Sequence, residues 1–138
     1  MFLTISKMTF PETVEKLDDI FSKRIRLRDA DMLGNVRCIS CGAVFNWKYI
    51  DNGHFIPRSN MSTRFHEKNN NGQCQNCNRY KDGNNDGYIK GLEIKYGSGI
   101  VEELESLGRQ TKIYTKSELE ELITQNREEF NKLYKLKA

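Results

Sequence analysis

DNGHFIPRSNMSTRFHEKNNNGQCQNCNRYK, residues 51–81, is the stretch on which the reading of this chain turns. It holds His54, one of only two histidines, and closes on Cys74 and Cys77 in C-x-x-C spacing, with Asn78 directly after. Upstream, Cys38 and Cys41 form a second C-x-x-C, so two such pairs use all four cysteines. Two C-x-x-C pairs supply the four thiolates of one tetrahedral zinc. Gly42, just behind the first pair, relieves the tight turn of a zinc knuckle. The 32 residues between Cys41 and Cys74 exceed the usual zinc-ribbon gap and must form an excursion from the zinc base. Redox or disulfide use are the competing readings. Cys38 and Cys41 fall between a helix and strands, not at the helix start a redox motif occupies, so the expected ion is closed and structural.

Outward from this stretch, the flanks read as helices. Thr9, Pro11 and Glu12 have the spacing of a capping box with proline in the first turn. Val14, Leu17, Ile20, Phe21 and Ile25 then recur at helical period, which predicts a helix over 9–30. Lys23, Arg24, Arg26 and Arg28 crowd its second half, either as a solvated face or as phosphate contacts. Val44, Phe45, Trp47, Tyr49 and Ile50 are strand formers, with Trp47 read as core. A short strand is expected within 51–58, loop over 63–71, and a helix from the second knuckle to 82–84. Two short helices should follow over 88–96 and 99–107, then a brief extended piece at 112–114. The last helix starts at Thr115 or at Ser117, and Leu119, Leu122, Ile123, Phe130, Leu133 and Tyr134 make one apolar stripe along it. That stripe packs on the domain or forms a homodimer contact.

The whole is expected to be a single α+β domain over 1–138: an N-terminal helix at 9–30, a zinc-braced core at 36–84 and a helical region at 85–138. Charged residues make up 30% and mean hydropathy is −0.73, which implies a small core that a structural metal would help to hold. No apolar run approaches a membrane span, and the start MFLTISKMTF lacks the basic-then-apolar order of a signal peptide. A cytoplasmic setting with reduced cysteines is therefore expected. Net charge is only +3, but residues 21–81 hold 11 Lys/Arg against 4 Asp/Glu, or +7, and the remainder is −4. That asymmetry suits either a polyanion-facing surface or ordinary solvated surface.

Phosphodiester hydrolysis needs a base for water and positive charge for the pentavalent phosphorus and the departing oxygen. Histidine suits the first role near neutrality. A hard divalent cation suits the second and needs only one or two protein oxygens. Asn78 offers such an oxygen at a backbone position fixed by Cys77, and His54 would lie on the facing strand. A strand–loop–helix order then brings His54 and Asn78 to one scissile phosphate.

These elements, in this order, resemble the His-Me finger (HNH, ββα-metal) nucleases. More closely, FSKRIRLRDAD, CISCG, DNGHFIPR, RFHEKNNNGQCQNCNRYKDGN and YIKGLEIKYG look like the phage NinG/Rap recombination proteins. The resemblance covers residues 21–96 and runs on toward the C-terminus. It implies a zinc-braced ββα-metal core with flanking N-terminal and C-terminal helices. It implies a DNA endonuclease acting on branched recombination intermediates such as Holliday junctions and D-loops, in the host cell cytoplasm if phage-encoded. It also implies His54 as general base, Asn69 as the residue that holds the loop and orients the base, and Asn78 as ligand of a catalytic Mg²⁺ or Mn²⁺. Asn70 or Asn71 are alternatives to Asn69. His66 is read as a loop residue.

One position departs from the pattern. HNH enzymes commonly carry an aspartate directly before the catalytic histidine as a second ligand, and here that residue is Gly53. Asp51 shares its strand face and is the first candidate to replace it; Asp82, one turn beyond Asn78, is the reserve. Arg58, Arg64, Arg79 and Lys81 are the expected phosphate contacts, with recognition by backbone charge and junction shape. Two other functions fit parts of the sequence: a zinc-ribbon DNA-binding accessory protein without chemistry, and an interaction module using the C-terminal stripe. Only the nuclease needs His54 and Asn78 together.

Overall fold

The computed structural model describes residues 7–138; residues 1–6, on which part of the signal-peptide reading falls, lie outside the described residues. Helix α1 (Phe10–Arg28) starts as the sequence predicts. Thr9 Oγ1 accepts the Glu12 N–H at 3.2 Å, Glu12 accepts the Thr9 N–H at 3.0 Å, and Pro11 sits in the first turn. Its apolar face, Leu17, Ile20, Phe21 and Ile25, is buried against Leu119 and Ile123 of the last helix, α5 (Lys116–Lys137). α5 is capped by Thr115 with Glu118, not by Ser117 with Glu120, because the extended backbone ends at Thr115 and Ser117 is already helical. Leu122, Phe130 and Leu133 also pack inward, so α1 covers most of the stripe a dimer contact would have used, leaving Tyr134 48% exposed.

Strands β1 (Asn35–Arg37) and β2 (Val44–Asn46) form an antiparallel ladder around the first cysteine pair. The strand expected over 44–50 stops at Asn46, whose side-chain oxygen accepts the Lys48 N–H at 3.1 Å and turns the chain into a single 3₁₀ turn. That turn buries Trp47 among Leu27, Ala30, Val36 and Ile50, with Phe130 edge-on at 6.1 Å, so Trp47 is core.

Strands β3 (Asp51–His54) and β4 (Asn70–Gln73) form the second ladder, with Asp51 opposite Gln73 and His54 opposite Asn70. Between them lie the one-turn helix α2 (Met61–Arg64) and a 3₁₀ turn at Glu67–Asn69. The loop expected over 63–71 is thus largely ordered, although Asn-Asn-Gly-Gln has little intrinsic strand preference. Tertiary bonds hold it: Asn69, Asn70 and Asn71 are each 0% exposed and hydrogen-bonded through their side chains.

After Cys74 the chain makes one five-residue π-helical turn, Asn76–Tyr80, inside the expected bounds. Asp82, Gly83 and Asn84 all have positive φ, which ends helical continuation. Helices α3 (Asn85–Tyr96) and α4 (Ile100–Gly108) flank the glycines at 97 and 99 and bury Tyr88, Leu92, Ile100 and Leu104 together. Gly87 and Gly91, one turn apart, let α3 lie directly on the first knuckle: a Cβ at Gly91 would come within 3.0 Å of the Ile39 carbonyl carbon. The piece at 112–114 has no regular secondary structure and pairs with no strand among the described residues. No described helix is long and apolar enough to cross a membrane.

Three of the four basic residues late in α1 tie the fold together instead of facing phosphate. Arg24 pairs with Glu67, Arg26 donates to Trp47 O at 3.0 Å, and Arg28 donates to Asn70 O at 2.7 Å. Asp29 then accepts the Gly72 N–H and the Lys95 ammonium, both at 2.8 Å, joining α1 to β4 and α3.

Candidate metal centre and catalytic cavity

The four cysteines converge as their spacing predicts. Their sulfurs all lie within 4.8 Å of one another, and Cys41 Sγ is 3.7 Å from Cys74 Sγ. Four thiolates around one zinc stand about 3.8 Å apart for Zn–S bonds near 2.3 Å, so the set could hold a structural metal and its donors suit zinc. Burial pushes the Cys74 thiol up to about 12. Burial also opposes ionisation of Cys38, but the N–H groups of Cys74, Cys41 and Ser40 outweigh it and draw that thiol below its ordinary value. So many thiolates in so small a volume need a cation to neutralise them. The sulfurs accept from Cys74 N–H, Cys77 N–H and Asn84 Nδ2 at 3.2–3.4 Å, which orients them.

His54 ends β3 with its Nε2 3.2 Å from the Arg64 carbonyl oxygen. A carbonyl only accepts, so Nε2 carries the hydrogen and Nδ1 keeps a lone pair. Burial drives the His54 pKa down to about 4, against the opposing pull of that carbonyl. The ring is therefore neutral at physiological pH, with one basic nitrogen fixed in place.

Two asparagines hold the backbone around His54. Asn69 accepts Ile56 N–H at 2.8 Å and donates to Ile56 O and Thr63 O, each at 3.1 Å, pinning both ends of the loop after His54. Asn70 donates to Arg64 O at 3.1 Å, the same carbonyl that holds His54, and to His66 O at 2.8 Å. Asn71 bonds Tyr88 and Lys95. Tyr88 donates its hydroxyl to Gly53 O at 2.6 Å, fixing the residue before His54. His66 only caps the 3₁₀ turn, accepting Lys68 N–H at 3.2 Å.

An open cavity of about 540 Å³ is walled by Asn52, His54, Arg58, Asn78 and Asp82, with Asp18 of α1 opposite. His54 and Asn78 thus share one space. Asp51 does not face it: side chains alternate along β3, and Asp51 lines a neighbouring polar cavity with Asn52, Asn78 and Arg79. Its carboxylate receives Asn78 Nδ2 at 3.0 Å and Arg79 Nε and Nη2 at 2.9 and 2.8 Å. Asp51 is thus an ion-pair partner, and the carboxylates that line the cavity of His54 are Asp18 and Asp82. An aspartate at position 53 would not fit: a Cβ there would overlap Gln73 Oε1 and lie 2.8 Å from Gln73 Cβ.

The four basic candidates separate as well. Arg64 is not free for phosphate, because its Nε is held by Asp18 at 2.9 Å and its Nη2 by the other oxygen of that carboxylate. Arg79 is bound to Asp51 yet 53% exposed. Arg58 is exposed at the cavity wall, and Lys81 is exposed just past the π turn. The sequence reading missed Asn52. Its position two before His54 places it on the same strand face, a signal that was available. Asn52 Oδ1 is one of two buried side-chain atoms without a partner among the described residues.

Comparison with known proteins gives one family. The model described as Bacteriophage Lambda NinG protein matches residues 7–136. The Protein ninG of Escherichia phage lambda and that of Salmonella phage P22 are each 37% identical over 83 residues, 59% of this chain and 38% of theirs. The Protein ninG of Escherichia phage 933W is 37% identical over 83 residues, 59% of this chain and 39% of its own. The match spans under two fifths of the length of these relatives. No solved structure matches.

Proposed function

The chain belongs to the bacteriophage lambda NinG family, and from that premise we propose that it is a metal-dependent endonuclease of the HNH, His-Me finger class. Its substrate is DNA, in the form of branched recombination intermediates such as Holliday junctions and D-loops, met in the host cytoplasm. One observation carries the reading: a neutral imidazole with its tautomer fixed by Arg64 O shares a cavity with Asn78.

The order β3, pinned loop, β4, zinc knuckle and π turn supports a ββα-metal core whose helical leg is one turn long. In it His54 Nδ1 takes the proton of the attacking water, and the Arg64 carbonyl stabilises the imidazolium through Nε2. Asn70 holds that carbonyl and Asn69 holds the loop that bears it. A divalent cation, Mg²⁺ or Mn²⁺, supplies positive charge for the pentavalent phosphorus and the departing oxygen. The residues lining the cavity of His54 fit one: Asn78 and Asp82 offer hard oxygens, and Asn52, whose Oδ1 is buried without a donor, lines the same cavity, while Asp51 is held in its ion pair with Arg79. Zn²⁺ on the four thiolates is structural. Arg58 and Lys81 take backbone phosphates.

A synthetic four-way junction incubated with Mg²⁺ or Mn²⁺ tests this. Wild type cuts it to 5′-phosphate and 3′-hydroxyl ends, and His54→Ala cuts roughly 10²–10⁴-fold more slowly. Equal cutting by both sinks the assignment. The second reading, a non-catalytic zinc-ribbon DNA-binding accessory protein, is favoured by the exposed Arg58 and Lys81, which suffice for binding alone. It expects His54→Ala to bind junctions and support recombination as wild type does.

A further inference from the structure

Beside the cavity of His54 lies a second polar cavity of about 450 Å³, and Ser22 and Asn78 stand in the walls of both. Its charged lining is three cations, Arg26, Lys48 and Arg79, against the single carboxylate of Asp51. That carboxylate is already satisfied. It accepts Arg79 Nε and Nη2 at 2.9 and 2.8 Å and Asn78 Nδ2 at 3.0 Å. The pair cancels one positive charge and leaves two unanswered, so the cavity repels cations and favours an anion.

Two donor groups stay open there. Lys48 is exposed, and its ammonium has no hydrogen-bond or ion-pair partner among the described residues. Arg79 spends Nε and Nη2 on Asp51, which leaves Nη1 to donate elsewhere from a side chain 53% exposed. Arg26 differs: its Nε donates to Ser22 O at 3.2 Å and its Nη1 to Trp47 O at 3.0 Å, so it ties the fold and adds only fixed charge to the wall. Local structure makes the two open donors meet. The 3₁₀ turn Trp47–Tyr49 carries Lys48, and the π turn Asn76–Tyr80, anchored by Cys77, carries Arg79. An ammonium beside a guanidinium edge suits the oxygens of a phosphodiester.

Resting on the nuclease reading above, we propose that Lys48 and Arg79 form a seat for one DNA backbone phosphate, the one next to the scissile phosphate held at His54 and Asn78. Arg58 lines the cavity of His54 and not the second one. The strand is thus gripped on both sides of the cut, at Arg58 and at the Lys48–Arg79 seat.

Binding of a four-way junction to the zinc-loaded chain, followed by fluorescence anisotropy, tests the seat in a His54→Ala background, which blocks cutting. Both residues are exposed, so neither substitution empties the core. Lys48→Gln and Arg79→Gln should each weaken binding, and the two together should reduce the slope of log affinity against log salt by about one. Lys132→Gln, exposed on α5 outside both cavities, should leave the slope unchanged. An unchanged slope in the double variant, a fall of about two as for two separate phosphates, or an equal fall from Lys132→Gln each overturn the seat. Single uncharged methylphosphonate links walked along the strand then locate the phosphate. One link, adjacent to the bond that the chain with His54 intact cuts in Mg²⁺, should weaken binding when Lys48 and Arg79 are present and have no effect on the double variant. Sensitivity at no link, or only at one remote from the cut, overturns the proposal and leaves the nuclease reading standing. Absence of cutting with one link still sensitive defeats the nuclease reading and the adjacency to the cut, and keeps the seat.

Discussion

His54 owes its state to two neighbours of opposite effect. Burial lowers its pKa to about 4, and the Arg64 carbonyl pulls the other way while fixing the hydrogen on Nε2. An ordinary histidine loses its base form as pH falls through about 6.5. This one keeps it down to about 4. Single-turnover junction cleavage should therefore stay level from pH 8 to pH 5.5, and a fall centred near 6.5 would mean a solvated ring. Its neighbour sets a second expectation. Gly53→Asp would put in the aspartate that the HNH pattern carries before its histidine, but its Cβ overlaps the Gln73 side chain. Overpacking of this kind costs about 1–3 kcal/mol, so the variant should unfold at lower urea without improving cleavage.

β4 shows what an element can be made of when tertiary bonds replace propensity. Asn69, immediately before it, has no exposed surface and makes three side-chain bonds to the backbone at Ile56 and Thr63. Asn69→Ala strands those groups, at roughly 3 kcal/mol in total for partly rescued buried polar atoms. Hydrogen exchange should rise first across 55–64. Unchanged exchange there would mean that α2 holds the loop by itself. The helix caps at Thr9 and Thr115, the apolar stripes of α1 and α5, and both knuckles were legible in the sequence, because each depends on spacing within one segment. The fates of Asp51, Arg64 and the late α1 arginines were not. A carboxylate or guanidinium reads the same whether it meets an ion, a phosphate or another side chain, and the partners Arg79, Asp18 and Glu67 come from distant segments. The stop of the short helical leg was legible, since Asp82, Gly83 and Asn84 are turn residues and all three take positive φ.

The molecule as a whole is several small apolar clusters, and they do not lean equally on the metal. Leu17, Phe21, Leu119 and Ile123 join α1 to α5, and Trp47 extends that contact toward Phe130. Neither set includes a cysteine or its neighbours in chain. The cluster around Tyr88 and Leu104 differs: α3 follows directly on the second knuckle, and it rests through Gly87 and Gly91 on the backbone of Ser40 and Ile39 in the first. Structural zinc contributes about 10–16 kcal/mol in small domains, on the scale of a whole domain's stability of about 5–15 kcal/mol. Chelation should thus free α3, α4 and β4 while α1 and α5 stay paired. Amide exchange would rise across 70–108, yet the emission of Trp47, the sole tryptophan, would keep its buried position. A red shift of Trp47 in step with zinc loss would instead mean that the metal holds both halves, and His54, whose strand bridges α1 and β4, would lose its carbonyl partner in either case.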